Sequence, residues 1–254
     1  MVRLESEIVS TTVAGPFSSE LEGNFENTIR VVSEMVDVII LSSHGSAFAR
    51  RVAAVSRERV FNAGDGPAQH PTQALLDLYT IDHHLGSMDG CSIALVGNLG
   101  SLSVRFLSYF LSKFHGVHIY FISPDVTKTK DDIKEYLKRH KAWCTEITNP
   151  TRGLEKLVKE VDVVYMTELS KQHFAGRCQD YEQRLKNCVL SATVLRAMKK
   201  SALMMHPLPR ANELPQEVDK NHRAAYLEQT RYGIYLRMAI LCTLLNTYPT
   251  FVNT

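Results

Sequence analysis

The hydrophobic residues of this chain follow two alternating patterns, short apolar runs and longer segments with helical periodicity. Near-continuous apolar runs are typical of strands that are covered on both faces of a parallel sheet. Six such runs lie at residues 38–41, 60–61, 92–96, 117–121, 161–165 and 202–205. Helical segments separate them, notably residues 103–114 and 131–140. This order of elements predicts an α/β fold with doubly wound parallel sheets.

A strand, a glycine turn and a helix meet around His70. Glycines at 64 and 66 permit a tight turn, and Pro71 suits a first helical residue, which needs no N–H donor. The helix therefore opens with His70 and Gln73. Free N–H groups and the positive end of the helix dipole attract anions and polarised carbonyls, so these two side chains are candidates to contact a small ligand. The alternative is that His70 caps the helix and Gln73 is merely solvated.

A second junction of this kind follows the apolar run at residues 202–205. It continues as His206-Pro207-Leu208-Pro209-Arg210. Two prolines around one leucine keep the backbone extended and aim its carbonyl groups, which allows a loop to bind an amide or amine without side chains. We therefore predict that Pro207 and Leu208 contact a ligand.

The two junctions together resemble those of the aspartate carbamoyltransferase catalytic chain. The shared motifs are Ala-Gly-Asp-Gly-x-x-Gln-His-Pro-Thr-Gln, at residues 63–73, and His-Pro-Leu-Pro-Arg. The resemblance extends from about residue 1 to 245. It implies that His70, Gln73 and the Pro207-Leu208 backbone orient a carbamoyl group, and that the chain forms a trimer-like homo- or hetero-oligomer or joins a larger assembly. The ten histidines lack the spacing of metal ligands, so we expect no metal site, and we expect no cofactor.

The resemblance also implies two domains of carbamoyltransferase type. A polar, glycine-containing linker near residues 84–90 separates a first domain, residues 1–84, from a second, residues 91–221. A C-terminal helix over residues 222–247 is expected to pack back on the first domain. Because the chain starts after the position of the family's Ser-Thr-Arg-Thr phosphate loop, we expect the first domain to lack that loop and its N-terminal strand. A neighbouring chain is then expected to cover the exposed strand edges.

The chain departs from the family at four further positions. Ser42 and Glu168 replace arginines, and Leu102, or Ser103 if a gap is placed differently, replaces a third. Ser170 replaces a glutamine. Each lost charge-assisted hydrogen bond to an anion is worth about 1.5–3 kcal/mol, so these changes weaken the binding of anionic substrates.

Glu168 adds a negative charge where the family binds aspartate. We expect its side chain to be exposed or to pair with a base such as Arg105 or Arg210. These changes led us to predict a catalytically inactive relative that serves as a structural or regulatory subunit. The alternative is an aspartate carbamoyltransferase with divergent anion ligands, which makes carbamoyl aspartate for pyrimidine biosynthesis.

The composition of the chain limits the partners and the cellular compartments that we expect for it. A net charge of +2 with interspersed signs argues against a nucleic-acid partner. The longest apolar run, residues 238–245, is far shorter than a membrane span. Five cysteines without a Cys-x-x-Cys pair favour neither a disulfide framework nor a zinc site. We therefore predict the cytoplasm or another reducing compartment, and an organelle stays open.

Overall fold

A computed structural model describes residues 25–43, 48–65, 71–148, 153–174 and 178–247. Contacts between residues divide the chain into two compact units. The first unit contains the residues up to Thr72 and those from Ile234 onward, and the second contains Gln73–Gly233. The domain boundaries expected from the sequence stay a prediction.

The first unit is built on a parallel pair of strands. Its elements are α1 (Phe25–Ser33), β1 (Val38–Ser43), α2 (Phe48–Val55) and β2 (Arg59–Asp65). The two strands pair in parallel, with Val38 opposite Arg59, and α2 connects them as a crossover helix. Phe48 and Val52 of α2 are buried in a small cluster with side chains from both strands.

The second unit alternates strands and helices. In chain order its elements are α3 (Pro71–Leu85), β3 (Ser92–Val96), α4 (Leu102–Leu111), β4 (His118–Ser123), α5 (Asp131–Arg139), β5 (Trp143–Thr148), α6 (Gly153–Leu157), β6 (Val163–Met166), α7 (Cys178–Cys188), α8 (Ala192–Ala197), β7 (Leu203–Met205) and α9 (Tyr226–Leu245). Short 3₁₀ helices cover Asp125–Thr127, Lys171–Phe174 and Gln216–Lys220. The first two residues of α3 and the last twelve of α9 fall in the first unit.

The strands of the second unit form one parallel sheet in the order β5-β4-β3-β6-β7. From β3 the chain winds outward through β4 to β5, and then crosses to the other side of β3 to form β6 and β7. The winding direction therefore reverses between β3 and β6. In open α/β sheets such a reversal opens a crevice at the carboxyl ends of the two strands, and ligands bind there.

Helices cover both faces of this sheet. Consecutive residues of β6 show the alternation that a covered strand requires: Val163 packs in a cluster with residues of α3, α4 and α5, whereas Val164 packs with residues of α6, α7 and α8. Both side chains are fully buried. The unit is thus a three-layer α/β structure, as the sequence pattern predicted.

The six predicted strands are all present, and α3 begins at Pro71 as expected. The strand β5 was not predicted. Trp143, its first residue, is 70% exposed, and most of the strand lies open to solvent at the sheet edge. An edge strand exposed on both faces has no apolar run, so periodicity alone does not reveal it.

A buried arginine stabilises the segment that leads into α9. The Arg223 guanidinium donates to the carbonyl oxygens of Leu195, Met198 and Lys199, at the end of α8. These carbonyls have no partner within the helix, and a cation there also complements the helix dipole. Among the described helices, none is long and apolar enough to cross a membrane.

Candidate functional site

The crevice between β3 and β6 is lined by the residues that follow these strands. Gly97 and Thr167 form its floor, where the Thr167 N–H and hydroxyl both donate to the Val96 carbonyl at 2.9 Å. Gly97 has a φ of +111°, which favours glycine. A Cβ atom at this position would lie 2.5 Å from the Thr167 carbonyl oxygen. The close approach of the two strand ends therefore requires glycine.

A local hydrogen-bond network occupies one wall of the crevice. Ser170 follows β6, and its backbone N–H donates to His173 Nδ1 at 3.1 Å. The other ring nitrogen, Nε2, lies 3.0 Å from the side-chain nitrogen of Asn98, which follows β3. Ser170, predicted to be a substituted ligand position, is thus tied to both strand ends. The sequence did not indicate this link, because Asn98 and His173 are far apart along the chain.

Glu168 is exposed at the carboxyl end of β6. The two bases proposed as its partners are engaged elsewhere: Arg105 pairs with Asp132, and Arg210 pairs with Asp219 through both carboxylate oxygens. The expectation that Glu168 is exposed is confirmed.

The other two substituted positions lie at the start of a helix and inside a strand, and the strand β1 extends past the run at residues 38–41 that the sequence predicted. Leu102 is the first residue of α4, which follows the β3 turn. Ser42 is exposed near the end of β1, in the first unit. His70 lies outside the described residues. Gln73 is described, in the first turn of α3.

The loop after β7 is held by a buried histidine and a buried glutamate. The Leu208 N–H donates to His206 Nδ1 at 2.9 Å, so the hydrogen of the neutral ring is on Nε2, which lies 3.0 Å from Glu213 Oε1. Both side chains are completely buried. Leu208 has a φ of +51°, so its backbone is left-handed and the extended conformation predicted from the two prolines is wrong here, and the peptide bond between Leu208 and Pro209 is cis. The left-handed conformation of a residue that is not glycine persists because the surrounding contacts fix it.

Glu213 connects this loop to the one that follows β6. Its carboxylate accepts the Ala211 N–H at 2.7 Å and the Leu169 N–H at 3.5 Å. Burial raises the pKa of Glu213, but the hydrogen bonds from His206 and from backbone N–H groups outweigh this effect, so the pKa lies below its usual value. The carboxylate is therefore ionised at neutral pH. One buried charge thus fixes the loops at the ends of β6 and β7.

A second buried carboxylate holds Gln73. Asp77, one turn later on α3, accepts hydrogen bonds from Gln73 Nε2 at 2.8 Å, from the Tyr165 hydroxyl of β6 at 2.8 Å and from Gln229 Nε2 of α9. The sequence places Gln73 and Asp77 four residues apart on one helix face, which was the available signal for their contact. It contained no signal for Tyr165 or Gln229, which come from distant segments.

Rising pH is expected to destabilise the folded protein through Asp77. Burial, partly offset by the three donors, raises its pKa from 3.8 to about 7. A raised pKa stabilises the folded state fully below pH 3.8, and this contribution is lost as the pH rises through 7. Between pH 5 and pH 8 the loss is about 2–3 kcal/mol of unfolding free energy. Urea unfolding at several pH values should show this slope in the wild type and not in Asp77→Asn, and equal slopes would contradict the prediction.

The described residues contain no group of three or more side chains suited to hold a metal ion. Cys91, Cys144, Cys188 and Cys242 are free thiols. The described side chains and backbone groups that shape the site include the Gln73 amide, the Leu208 backbone and the buried carboxylates of Asp77 and Glu213. The strand order defines a doubly wound α/β protein in which the winding reverses between β3 and β6, the place where such sheets bind ligands.

Comparison with known families assigns both halves of the chain. Residues 89–244 match the Asp/Orn binding domain of aspartate/ornithine carbamoyltransferases, and residues 2–83 match their carbamoyl-P binding domain. The chain belongs to the aspartate/ornithine carbamoyltransferase family. This confirms the family and the fold expected from the two motifs.

Individual relatives lie in the aspartate branch. The chain is 44% identical to aspartate carbamoyltransferase 3, chloroplastic, from Pisum sativum over 96% of its own length, and it spans 62% of that relative. It is 34% identical to the aspartate carbamoyltransferase catalytic subunit of Parabacteroides distasonis, over 96% of this chain and 78% of that one.

Solved structures agree. The aspartate transcarbamoylase of Trypanosoma cruzi, in complex with N-(phosphonacetyl)-L-aspartic acid, superposes with a TM-score of 0.80 at 31% identity, covering 92% of this chain and 73% of that one. The catalytic subunit of the M. jannaschii enzyme also gives 0.80, at 37% identity, covering 90% and 74%.

Proposed function

We propose that this chain contributes the carbamoyl-orienting part of an aspartate carbamoyltransferase, which transfers the carbamoyl group of carbamoyl phosphate to the amino group of aspartate. The observation that supports this most directly is the fixed geometry of two ligand elements. The Leu208 backbone is held by His206 and Glu213, and the Gln73 amide is held by Asp77. Relatives that are 34–44% identical over 96% of the chain are named as this enzyme.

In the proposed reaction the main task of the protein is to orient the two substrates, because the acceptor itself provides the nucleophile. The amino nitrogen of the acceptor attacks the carbamoyl carbon, and a carbon–nitrogen bond forms. The bond from this carbon to the phosphate oxygen breaks, phosphate leaves with the electron pair, and the nitrogen loses a proton. The Pro207 and Leu208 carbonyls and the Gln73 amide would hold the carbamoyl group in line for attack, and such alignment is a major source of rate acceleration.

A second candidate is the non-catalytic subunit that the sequence led us to predict. The observation that favours it is the chemistry of the four substituted positions. Ser42, Leu102 and Ser170 carry no charge, and Glu168 is an exposed carboxylate. The names of the relatives give this candidate no support, so the enzyme is the preferred proposal.

The test is formation of labelled carbamoyl aspartate from ¹⁴C-carbamoyl phosphate and aspartate by the purified chain. We expect product from the wild type, and we expect Gln73→Ala to lower kcat/KM about 100-fold, because the carbamoyl group loses an oriented partner. Gln172→Ala is the matched control, since Gln172 is exposed. Its kcat/KM should equal that of the wild type.

Two outcomes would contradict this proposal, and the first of them would favour the second candidate. One is the absence of both product and carbamoyl phosphate binding by isothermal titration in the wild type. The other is equal activity in Gln73→Ala and Gln172→Ala, which would remove Gln73 from the site.

The names of the relatives also suggest an assembly and a cellular compartment. The Pisum sativum protein is named chloroplastic and the Parabacteroides protein a catalytic subunit. We therefore extend the proposal in two ways. The protein forms an oligomer, and an organelle is one of the reducing compartments in which it functions.

A further inference from the structure

The orientation of the Gln73 amide is decided by its neighbour on α3. A carboxylate only accepts hydrogen bonds, so the bond to Asp77 Oδ1 requires that the amide nitrogen of Gln73 faces Asp77 and that its oxygen, Oε1, faces away. Among the described residues, none donates a hydrogen bond to Oε1. Gln73 is only partly buried, whereas Asp77 is completely buried.

We propose that Asp77 is a positioning residue, whose carboxylate orients the Gln73 amide so that Oε1 is presented as an acceptor to the N–H groups of the carbamoyl donor. This inference rests on the proposed function, in which Gln73 contacts the carbamoyl group. Asp77 itself does not touch the substrate and acts only through Gln73.

The groups around Asp77 determine how readily its carboxyl group is protonated. Three elements present polar groups to it: α3 presents Gln73, β6 presents the titratable hydroxyl of Tyr165, and α9 presents Gln229. Ser103 of α4 acts in turn on the Tyr165 hydroxyl and lowers its pKa, which burial and Asp77 raise. No lysine, arginine or histidine among the described residues contacts the carboxylate. Since none of these described residues supplies a cation, protonation is one way to neutralise the charge.

A hydrogen-bond acceptor is available to the protonated carboxyl group of Asp77. Gln229 Oε1 is buried and has no hydrogen-bond partner among the described residues. If Asp77 gains a proton, rotation of the Gln229 amide by about 180° turns this oxygen towards the new O–H donor, and the amide nitrogen takes the position that the oxygen leaves. A protonated Asp77 no longer requires the nitrogen of Gln73. With a pKa of about 7, both states of Asp77 are populated near neutral pH.

The first experiment measures carbamoyl phosphate binding by the full chain at pH 6 and pH 8. We expect Asp77→Asn to raise the Kd about 10-fold at pH 8, where one oriented hydrogen bond is lost, and about 2-fold or less at pH 6, where the wild type is itself protonated. The ratio of variant to wild-type Kd cancels the titration of the ligand. Tyr165→Phe removes a donor to the carboxylate, so it should move the pH midpoint upward.

The matched control is Thr80→Ala. Thr80 is a buried polar residue of the same helix, and its hydroxyl donates to the Leu76 carbonyl. Its Kd ratio should stay near 1 at both pH values. Asp77→Asn ratios that are equal at pH 6 and pH 8 would overturn the proposal.

The second experiment separates this proposal from the proposed function. In ¹⁵N-glutamine-labelled protein, the side-chain amide resonances of Gln73, assigned by their loss in Gln73→Ala, should titrate with a midpoint near pH 7 in the wild type and not in Asp77→Asn. If the wild type binds no carbamoyl phosphate, the proposed function fails, and the resonances alone decide whether Asp77 orients Gln73. Resonances that do not titrate in the wild type would overturn the proposal.

Discussion

Replacement of His206 by leucine is expected to lower the free energy of unfolding by about 3–5 kcal/mol, because the buried Glu213 carboxylate loses its side-chain donor and a second hydrogen bond of the loop is lost with it. Glu213 and His206 are both completely buried, with Nε2 3.0 Å from Oε1. Leucine also removes the acceptor of the Leu208 N–H. Urea unfolding at pH 7.5 measures the change.

Two further variants show whether the cause is the buried charge. His222→Leu is the control, since His222 is exposed and, among the described residues, bonds only to the Lys200 carbonyl, and we expect a change below about 0.5 kcal/mol. The double variant His206→Leu with Glu213→Leu should recover part of the loss, because the buried carboxylate that lost its donor is gone. A single His206→Leu loss below about 1 kcal/mol would mean that the pair does not hold the loop.

The Gly97→Ala variant is expected to lose about 2–4 kcal/mol of stability, since the substitution combines a disfavoured backbone conformation with a clash. The new Cβ would meet the Thr167 carbonyl oxygen at 2.5 Å and its hydroxyl oxygen at 2.8 Å. The carbonyl belongs to the backbone and cannot rotate away. The ends of β3 and β6 must therefore separate, which widens the crevice.

Gly86→Ala isolates the contribution of the backbone. Gly86 also has a positive φ, +75°, but a Cβ there would meet no heavy atom within 4 Å. We expect its cost to be about 1 kcal/mol. Thermal or urea unfolding of both variants gives the difference, and equal losses would show that the contact with Thr167 is not tight.

The two buried carboxylates of the site differ in what surrounds them. Glu213 receives hydrogen bonds from a histidine and from backbone N–H groups, which lower its pKa below the usual value despite burial. Asp77 receives only neutral donors, and burial raises its pKa to about 7. At neutral pH Glu213 therefore stays ionised, and its charge fixes the loops. The carboxyl group of Asp77 is then near its titration midpoint. The ionised form of Asp77 orients Gln73 at a cost in stability, a conflict that is common where side chains are arranged for function.

The sequence by itself determined the fold class and the family. Apolar runs with helical segments between them are enough to predict a parallel doubly wound sheet, because both faces of each central strand must be covered. Local chemistry also placed Pro71 at the start of α3 and pointed to Gln73, Pro207 and Leu208, because turns and helix ends depend on neighbours in sequence.

Only the tertiary structure decided what holds these residues. Asp77 meets Tyr165 and Gln229 across 88 and 152 positions of sequence, and Asn98 meets His173 across 75. Such contacts arise from the order of strands in the sheet, which brings the ends of β3, β6 and β7 together. The protonation of a carboxyl group likewise depends on its burial and on its donors, and neither exists before the chain folds. The exposed edge strand β5 was not predicted for the same reason. Its pairing with β4, and not its own sequence pattern, makes this segment a strand.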